Sequence, residues 1–447
     1  MTLGNHTMRN ALNKDILRLA VPAIFTNITV PLLGLVDFAI SGHLGSLTYI
    51  GAISVGTMMF NLLYWNFGFL RMGTSGLTAQ AYGAGDARQQ SLTLYRAVAI
   101  AVALGLLLVA LQVPLRELML WLLSPSAAVA AVARKYFSIC IWGAPFFLTT
   151  MVLKGWFLGM QNSRFPMIIA IAINVINIAL SAWLVFALGL SFYGIAIGTL
   201  AAEVLGFALA LTLLRRRYAE LVRLRVEFRR LWDGVGRFFR VNADIFLRSF
   251  FLLSVNFAFT SIGARAGDEA LAVNSLMMQL FLFYSYFVDG FAYAGEAIVG
   301  KLQGARQYRE RDRAVVWLLV WGFAIAVLFT LSYWVAIHPI AALLTDSEAV
   351  IAGVAANYLW CVAVPLVGVW AFIGDGVFVG LTATRAMLLS TLSASALFFA
   401  TYFGIGGDFA YARLWTAFLL FLALRGVVLW SIYLSRYAVR RQRGADR

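Results

Sequence analysis

Long apolar runs, each near the length needed to cross a bilayer, constrain this chain more than any other feature. They fall at about 16–41, 47–72, 92–114, 136–160, 166–188, 191–214, 238–262, 270–299, 314–337, 352–381, 386–405 and 409–435. A helix spans the hydrocarbon core with ~20 apolar residues. Backbone polar groups find no partner in lipid, so only helices and closed barrels can span it. The runs are continuous and show no period-two alternation, which excludes a transmembrane barrel. Composition agrees: 62% of the residues are hydrophobic and 12% charged, against about 25% charged in soluble domains. An ordinary soluble enzyme is excluded. The fold class expected is an all-α membrane protein of twelve transmembrane helices.

The net charge of +15 invites a nucleic-acid reading until the basic residues are placed. With the N-terminus cytoplasmic, 26 of the 35 Lys and Arg fall on inside segments and 5 on outside segments, and Arg71, Lys154, Arg248 and Arg425 lie within spans. That asymmetry follows the positive-inside rule and puts both termini in the cytoplasm. The basic balance is therefore topology with contact to membrane lipids, and no nucleic-acid partner is expected. Cys140 and Cys361 sit in separate apolar runs, and His6, His43 and His338 lack metal-ligand spacing, so neither a disulfide framework nor a metal site is expected. Residues 1–13 are polar and the first apolar run is too long for a cleavable signal peptide.

The stretch 215–237, RRRYAELVRLRVEFRRLWDGVGR, divides the chain into a six-helix half at 1–214 and another at 238–447 with a basic tail. The halves resemble each other. A shift of 222 aligns Ile40 with Ile262, Tyr64 with Tyr286, Gly68 and Phe69 with Gly290 and Phe291, and Gly73 with Gly295. Shifts of 220–221 align Pro145 with Pro365, Gly159 with Gly380 and Arg164 with Arg385. An even number of helices per repeat gives the halves one orientation, an arrangement typical of transporters.

Six carboxylates fall inside expected spans: Asp37, Glu203, Asp244, Asp289, Glu296 and Asp375. A carboxylate in hydrocarbon needs a partner, a proton or a water-filled cavity. Asp37 lies deep in the first span with no basic residue within one turn, and Pro22 and Pro31 on the same helix are expected to bend it. Asn174, Asn177 and Ser181 share one face of the fifth span, and Thr199 and Glu203 in the sixth can join them. These oxygens suit a carboxyl or a small cation, although polar residues also join membrane helices. In the second half Asp244 and Arg248 are spaced for an i, i+4 ion pair. Asp289, Glu296 and Asp375 suit a second proton site, a cation vestibule or an inner gate, and Lys154, the repeat-mate of Asp375, is a possible partner for it. Aromatic clusters at 64–65, 142–147 and 281–287, with methionines at 58, 59, 72, 151 and 160, suit bulky hydrophobic cations.

The runs NITVPLLGLVDFAISGHLG (27–45), FLRMGTSGLTAQAYGAGD (69–86) and GWFLGMQNSRFP (155–166) resemble the first half of the multidrug and toxic compound extrusion (MATE) transporters. VNADIFLRS (241–249), GARAGDEALAVN (263–274), VDGFAYAGEAIVG (288–300), GDGVFVG (374–380) and AFLLFLALRG (417–426) are similar to its DNA-damage-inducible F branch. The resemblance implies two six-helix lobes in a V shape. It also implies export of drug-like, mostly cationic compounds in exchange for H⁺ or Na⁺. By that resemblance Asp37 is the coupling carboxyl, whose protonation bends its helix at a proline, and Asn177, Ser181 and Thr199 match the family's cation cluster. The family carries an aspartate where this chain has Ser181, which disfavours sodium.

The reading is a proton-coupled multidrug efflux antiporter of the inner membrane, monomeric and needing no cofactor beyond its coupling ion. Sodium is possible near Asp37. A lipid-linked precursor flippase of related fold is the alternative. A membrane enzyme finds no nucleophile–base pair, metal cluster or phosphate loop.

Overall fold

The computed structural model describes residues 2–42, 46–224, 235–404 and 411–438, and among these every regular element is helical. Parts of the expected linker (225–234), of the last two spans (405 and 409–410) and of the basic tail (439–447) lie outside the described residues. The chain folds as two compact units, residues 25–238 and residues 1–24 with 239–447.

The first helix, α1 (Thr2–Gly42), runs without interruption through Pro22 and Pro31, and the division between the units falls within it, between Ile24 and Phe25. The sequence division kept 1–214 together. Packing instead places the start of α1 with the C-terminal half, because Gly290 lets the chain approach Ala20 and Ile24 more closely than any side chain would allow.

Eleven further stretches among the described residues are long and apolar enough to cross a membrane. In the unit at 25–238 they are formed by α2 (Leu47–Trp65) running into α3 (Gly68–Gly83), α4 (Ala87–Ala110), α6 (Ala127–Cys140) continuing through a 3₁₀ turn into α7 (Ala144–Gly159), α8 (Arg164–Ala182) and α9 (Ser191–Arg217). A short α5 (Gln112–Leu123) connects α4 to α6, and its Glu117 accepts both Nε and Nη2 of Arg134 at 2.9–3.2 Å. The start of the expected linker is ordered: α10 (Ala219–Arg223) returns to α4, where Ser91 Oγ donates to Leu221 O at 2.9 Å.

The second unit holds α11 (Val235–Arg265), α12 (Asp268–Gly304), α13 (Tyr308–Leu344), α14 (Glu348–Ala356), α15 (Tyr358–Gly380), α16 (Thr384–Gly404) and α17 (Tyr411–Arg436). Helix α15 is its centre, packing on α12, α13 and α17. Arg311, fully buried at the start of α13, ties three helices together. It donates to Asp312 Oδ1 at 2.7 and 3.0 Å, to Gln303 Oε1 at 2.7 Å and to Tyr437 O.

Both units repeat the same close contacts. Gly155 of α7 meets the Arg71 carbonyl of α3 and Gly159 meets that of Ser75; 221 residues later, Gly376 meets Ala292 O and Gly380 meets Glu296 O. A Cβ at any of the four would collide with backbone, which is why only glycine serves where membrane helices touch this closely. The backbone also enters the left-handed region at Gly85 and Gln161 and again, at the same shift, at Arg306 and Thr382. The duplication read from sequence is thus present in backbone geometry.

Candidate functional site

Asp37 is 4% exposed, and its Oδ1 is buried without a hydrogen-bond partner. Val36 and Ile40 on either side of it join an apolar cluster with Ile53, Tyr136, Cys140, Val185, Ile195 and Ala196. That cluster fixes α1 against α2, α6 and α9 and holds the carboxyl away from water.

The polar face of α8 is divided among three neighbours. Asn174 Nδ2 donates to Thr29 O of α1 at 2.7 Å. Asn177, fully buried, donates through Nδ2 to Thr199 Oγ1 of α9 at 3.0 Å, and that hydroxyl donates a hydrogen bond to Ile195 O at 3.0 Å. Ser181 lies against Gly198, where any Cβ would strike its Oγ. Asn177 Oδ1 and Ser181 Oγ are buried without partners. A π-helical segment, Trp183–Ala187, follows directly; such segments occur often at functional sites.

Tyr136 of α6 is buried in the same cluster as Ile40 and Cys140, within electrostatic reach of Asp37, and Cys140 Sγ lies 3.6 Å from Ala196 O. Sequence reasoning missed Tyr136; the available signal was a phenol one helical turn from Cys140 within a span. Glu203 is oriented towards α7: its side chain lies over Gly143, and it interacts electrostatically with Lys154 and Tyr64. Glu203 Oε2 is buried without a hydrogen-bond partner, and Lys154 acts on the carboxyl only at longer range.

The second unit's carboxylates are distributed differently from expectation. Asp244 does not pair with Arg248; it accepts from Thr384 Oγ1 at 2.8 Å. Arg248 turns instead to Asp375 of α15, which also accepts Arg425 Nη2 of α17 at 2.6 Å. Asp375 therefore has its cations within its own unit. The i, i+4 spacing only brings two side chains near each other, and in a membrane a carboxylate takes the best donor on any helix. Asp289 interacts with Tyr284, Tyr286 and more weakly with Arg425, and Glu296 is buried on α12.

A duplicated, all-helical, multi-pass membrane protein with carboxyls inside its spans is the build of a transporter and not of an enzyme. The chain belongs to the MatE family, whose profile matches residues 22–183 and 245–402, one segment in each repeat. It is 39% identical over 435 residues to the DNA damage-inducible protein F of Escherichia coli (strain K12), covering 94% of this chain and 92% of that protein. It is 26% identical over 347 residues to a probable multidrug resistance protein NorM of Rhizobium meliloti (strain 1021), covering 74% and 72%. The fold matches a MATE crystal structure in the bent conformation with a TM-score of 0.85, at 17% identity and covering both chains completely.

Proposed function

We propose that this protein is a secondary active multidrug efflux antiporter of the cell inner membrane, exporting cationic and amphiphilic drug-like compounds in exchange for protons. The observation that carries this reading is Asp37 Oδ1, buried without a hydrogen-bond partner on the turn of α1 that packs into the apolar cluster with α2, α6 and α9. A carboxyl in such a place is satisfied by one proton. Sodium needs several oxygens to replace its hydration shell, and Asn177, Ser181 and Thr199 supply neutral oxygens alone. Pro22 and Pro31 supply the bending of α1 in this mechanism. The names of the relatives support the multidrug reading. The test is ethidium efflux from proteoliposomes: a pH gradient alone should drive it and its collapse should stop it, whereas efflux indifferent to the pH gradient would refute proton exchange.

The basic-residue asymmetry supports cytoplasmic termini, with the protein acting as a monomer in contact with anionic lipids. Tyr218 is a poor reporter of orientation because it packs on Trp156 at 4.9 Å between ring centroids. Glu220 is exposed, and the native Cys140 and Cys361 are both buried. A Glu220→Cys protein in intact cells should resist a membrane-impermeant maleimide and react after permeabilisation; labelling from outside would reverse the assigned orientation.

A further inference from the structure

Shifts of 221 and 222 also align, inside the spans, two pairs of opposite charges with reversed polarity. Lys154, beside Gly155, becomes Asp375 beside Gly376 at a shift of 221, and Glu203 becomes Arg425 at 222. In the first unit Lys154 and Glu203 interact electrostatically, one cation with one anion. In the second unit Asp375 and Arg425 are hydrogen-bonded, and a second cation, Arg248, is added. The repeat positions of Arg248 hold Thr26 and Asn27, so the repeat does not require a charge there.

Arg248 and Arg425 are 4% and 5% exposed, and both donate Nη2 to the same oxygen, Oδ2 of Asp375. Asp375 Oδ1, Arg248 Nε and Arg425 Nε are buried without partners. Two guanidinium groups thus share one carboxylate oxygen end-on, each leaving donor capacity idle. Arg311 shows what a purely structural buried arginine looks like in this protein, because its Nε, Nη1 and Nη2 are all bonded. The longer-range charge of Asp289 also acts on Arg425. The guanidinium fork matches a planar or tetrahedral oxyanion, which can engage two of them at once. The Arg425 guanidinium also lies over the Phe421 ring at 5.4 Å, so the charged cluster adjoins aromatic surface inside the spans.

We propose that Arg248 and Arg425 form a binding site for the oxyanion of an amphiphile, a carboxylate or phosphate group, with Asp375 as the resident anion that the ligand joins or displaces. The site goes beyond the proton coupling at Asp37 and is independent of it. Its ligand chemistry can come from a carboxylate-bearing solute or from an anionic lipid headgroup.

The experiment is equilibrium binding of radiolabelled dodecanoate to the full chain in phosphatidylcholine nanodiscs, with dodecanol as the uncharged control and a second set of discs containing phosphatidate. The wild type should hold dodecanoate at least tenfold more tightly than dodecanol. Arg248→Asn, which restores the pattern of the first repeat, should lose that preference, and Asp375→Asn should tighten dodecanoate binding severalfold by removing the internal competitor. Loss of dodecanoate binding in phosphatidate discs assigns the site to the lipid headgroup; retention assigns it to the solute. Asp37→Asn should bind dodecanoate like the wild type, which separates this site from the coupling site. If Arg248→Asn unfolds, Arg248→Lys keeps the charge, loses the fork, and should still weaken binding. Equal dodecanoate and dodecanol binding by the wild type, equal dodecanoate binding by the wild type and the folded Arg248 variant, or weaker binding by Asp375→Asn as in a purely structural triad, would overturn the proposal.

Discussion

Asp37→Asn protein should reach the membrane in near-normal amount and fail to export. The amide is isosteric with the protonated carboxyl, so the cluster of Val36, Ile40 and Tyr136 around it keeps its packing, and removing a buried ionisable group carries little folding cost. What disappears is the exchange between charged and neutral states. If proton and cargo oppose one another through this group, their coupling is a free energy of the usual allosteric size, about 5- to 150-fold in affinity, and losing it should lower proton-driven ethidium efflux to a comparable extent. Efflux by wild type and variant in proteoliposomes under one imposed pH gradient checks this, with expression measured in parallel. Wild-type efflux by the variant would remove Asp37 from the mechanism.

Ser181→Asp should create or strengthen a sodium response. In the native site the oxygens of Asn177, Ser181 and Thr199 are neutral, and a second carboxylate would double the charge available to a cation. A tenfold gain in sodium affinity needs only about 1.4 kcal/mol, modest for one added charge in a dry site. The obstacle is steric, because Ser181 lies directly against Gly198 and a longer side chain must turn away from that contact. Ser181→Asn carries the same bulk without the charge and separates the two effects. Under a sodium gradient with no pH gradient, efflux should rise for Ser181→Asp and stay at background for Ser181→Asn and the wild type. Sodium-driven efflux by the wild type would refute the proton assignment.

The spans were legible because hydropathy over twenty residues sums many small transfer terms of one sign. The expected run at 238–262 corresponds to α11 and the one at 386–405 to α16, whereas the first run begins at 16 inside a helix that starts at Thr2, and the second ends at 72 inside a span that reaches Gly83. The turn at Asn66–Phe67 that divides α2 from α3 was not legible, since no glycine or proline sits in it. Asn177 and Thr199 were legible as partners, because polar residues on one face of a span seek the adjacent helix. Tyr136 was not: an aromatic residue in an apolar span looks like any other core residue until the structure packs it in one cluster with the residues flanking Asp37. The same limit explains Arg248. Its spacing from Asp244 was visible in the chain, whereas its actual partner lies 127 residues away on α15.

The glycine contacts and the charge pairs respond differently to gene duplication. Where α3 meets α7, and α12 meets α15, the backbone leaves room for a hydrogen and nothing more, so both copies carry glycine there. A buried pair of opposite charges obeys a weaker rule: its attraction depends on the product of the two signs and is indifferent to which helix carries which. The two repeats accordingly carry opposite polarity at matching positions, Lys154 and Glu203 in one and Asp375 and Arg425 in the other. Two daughters of one ancestral bundle could in this way acquire opposite electrical character on an unchanged scaffold.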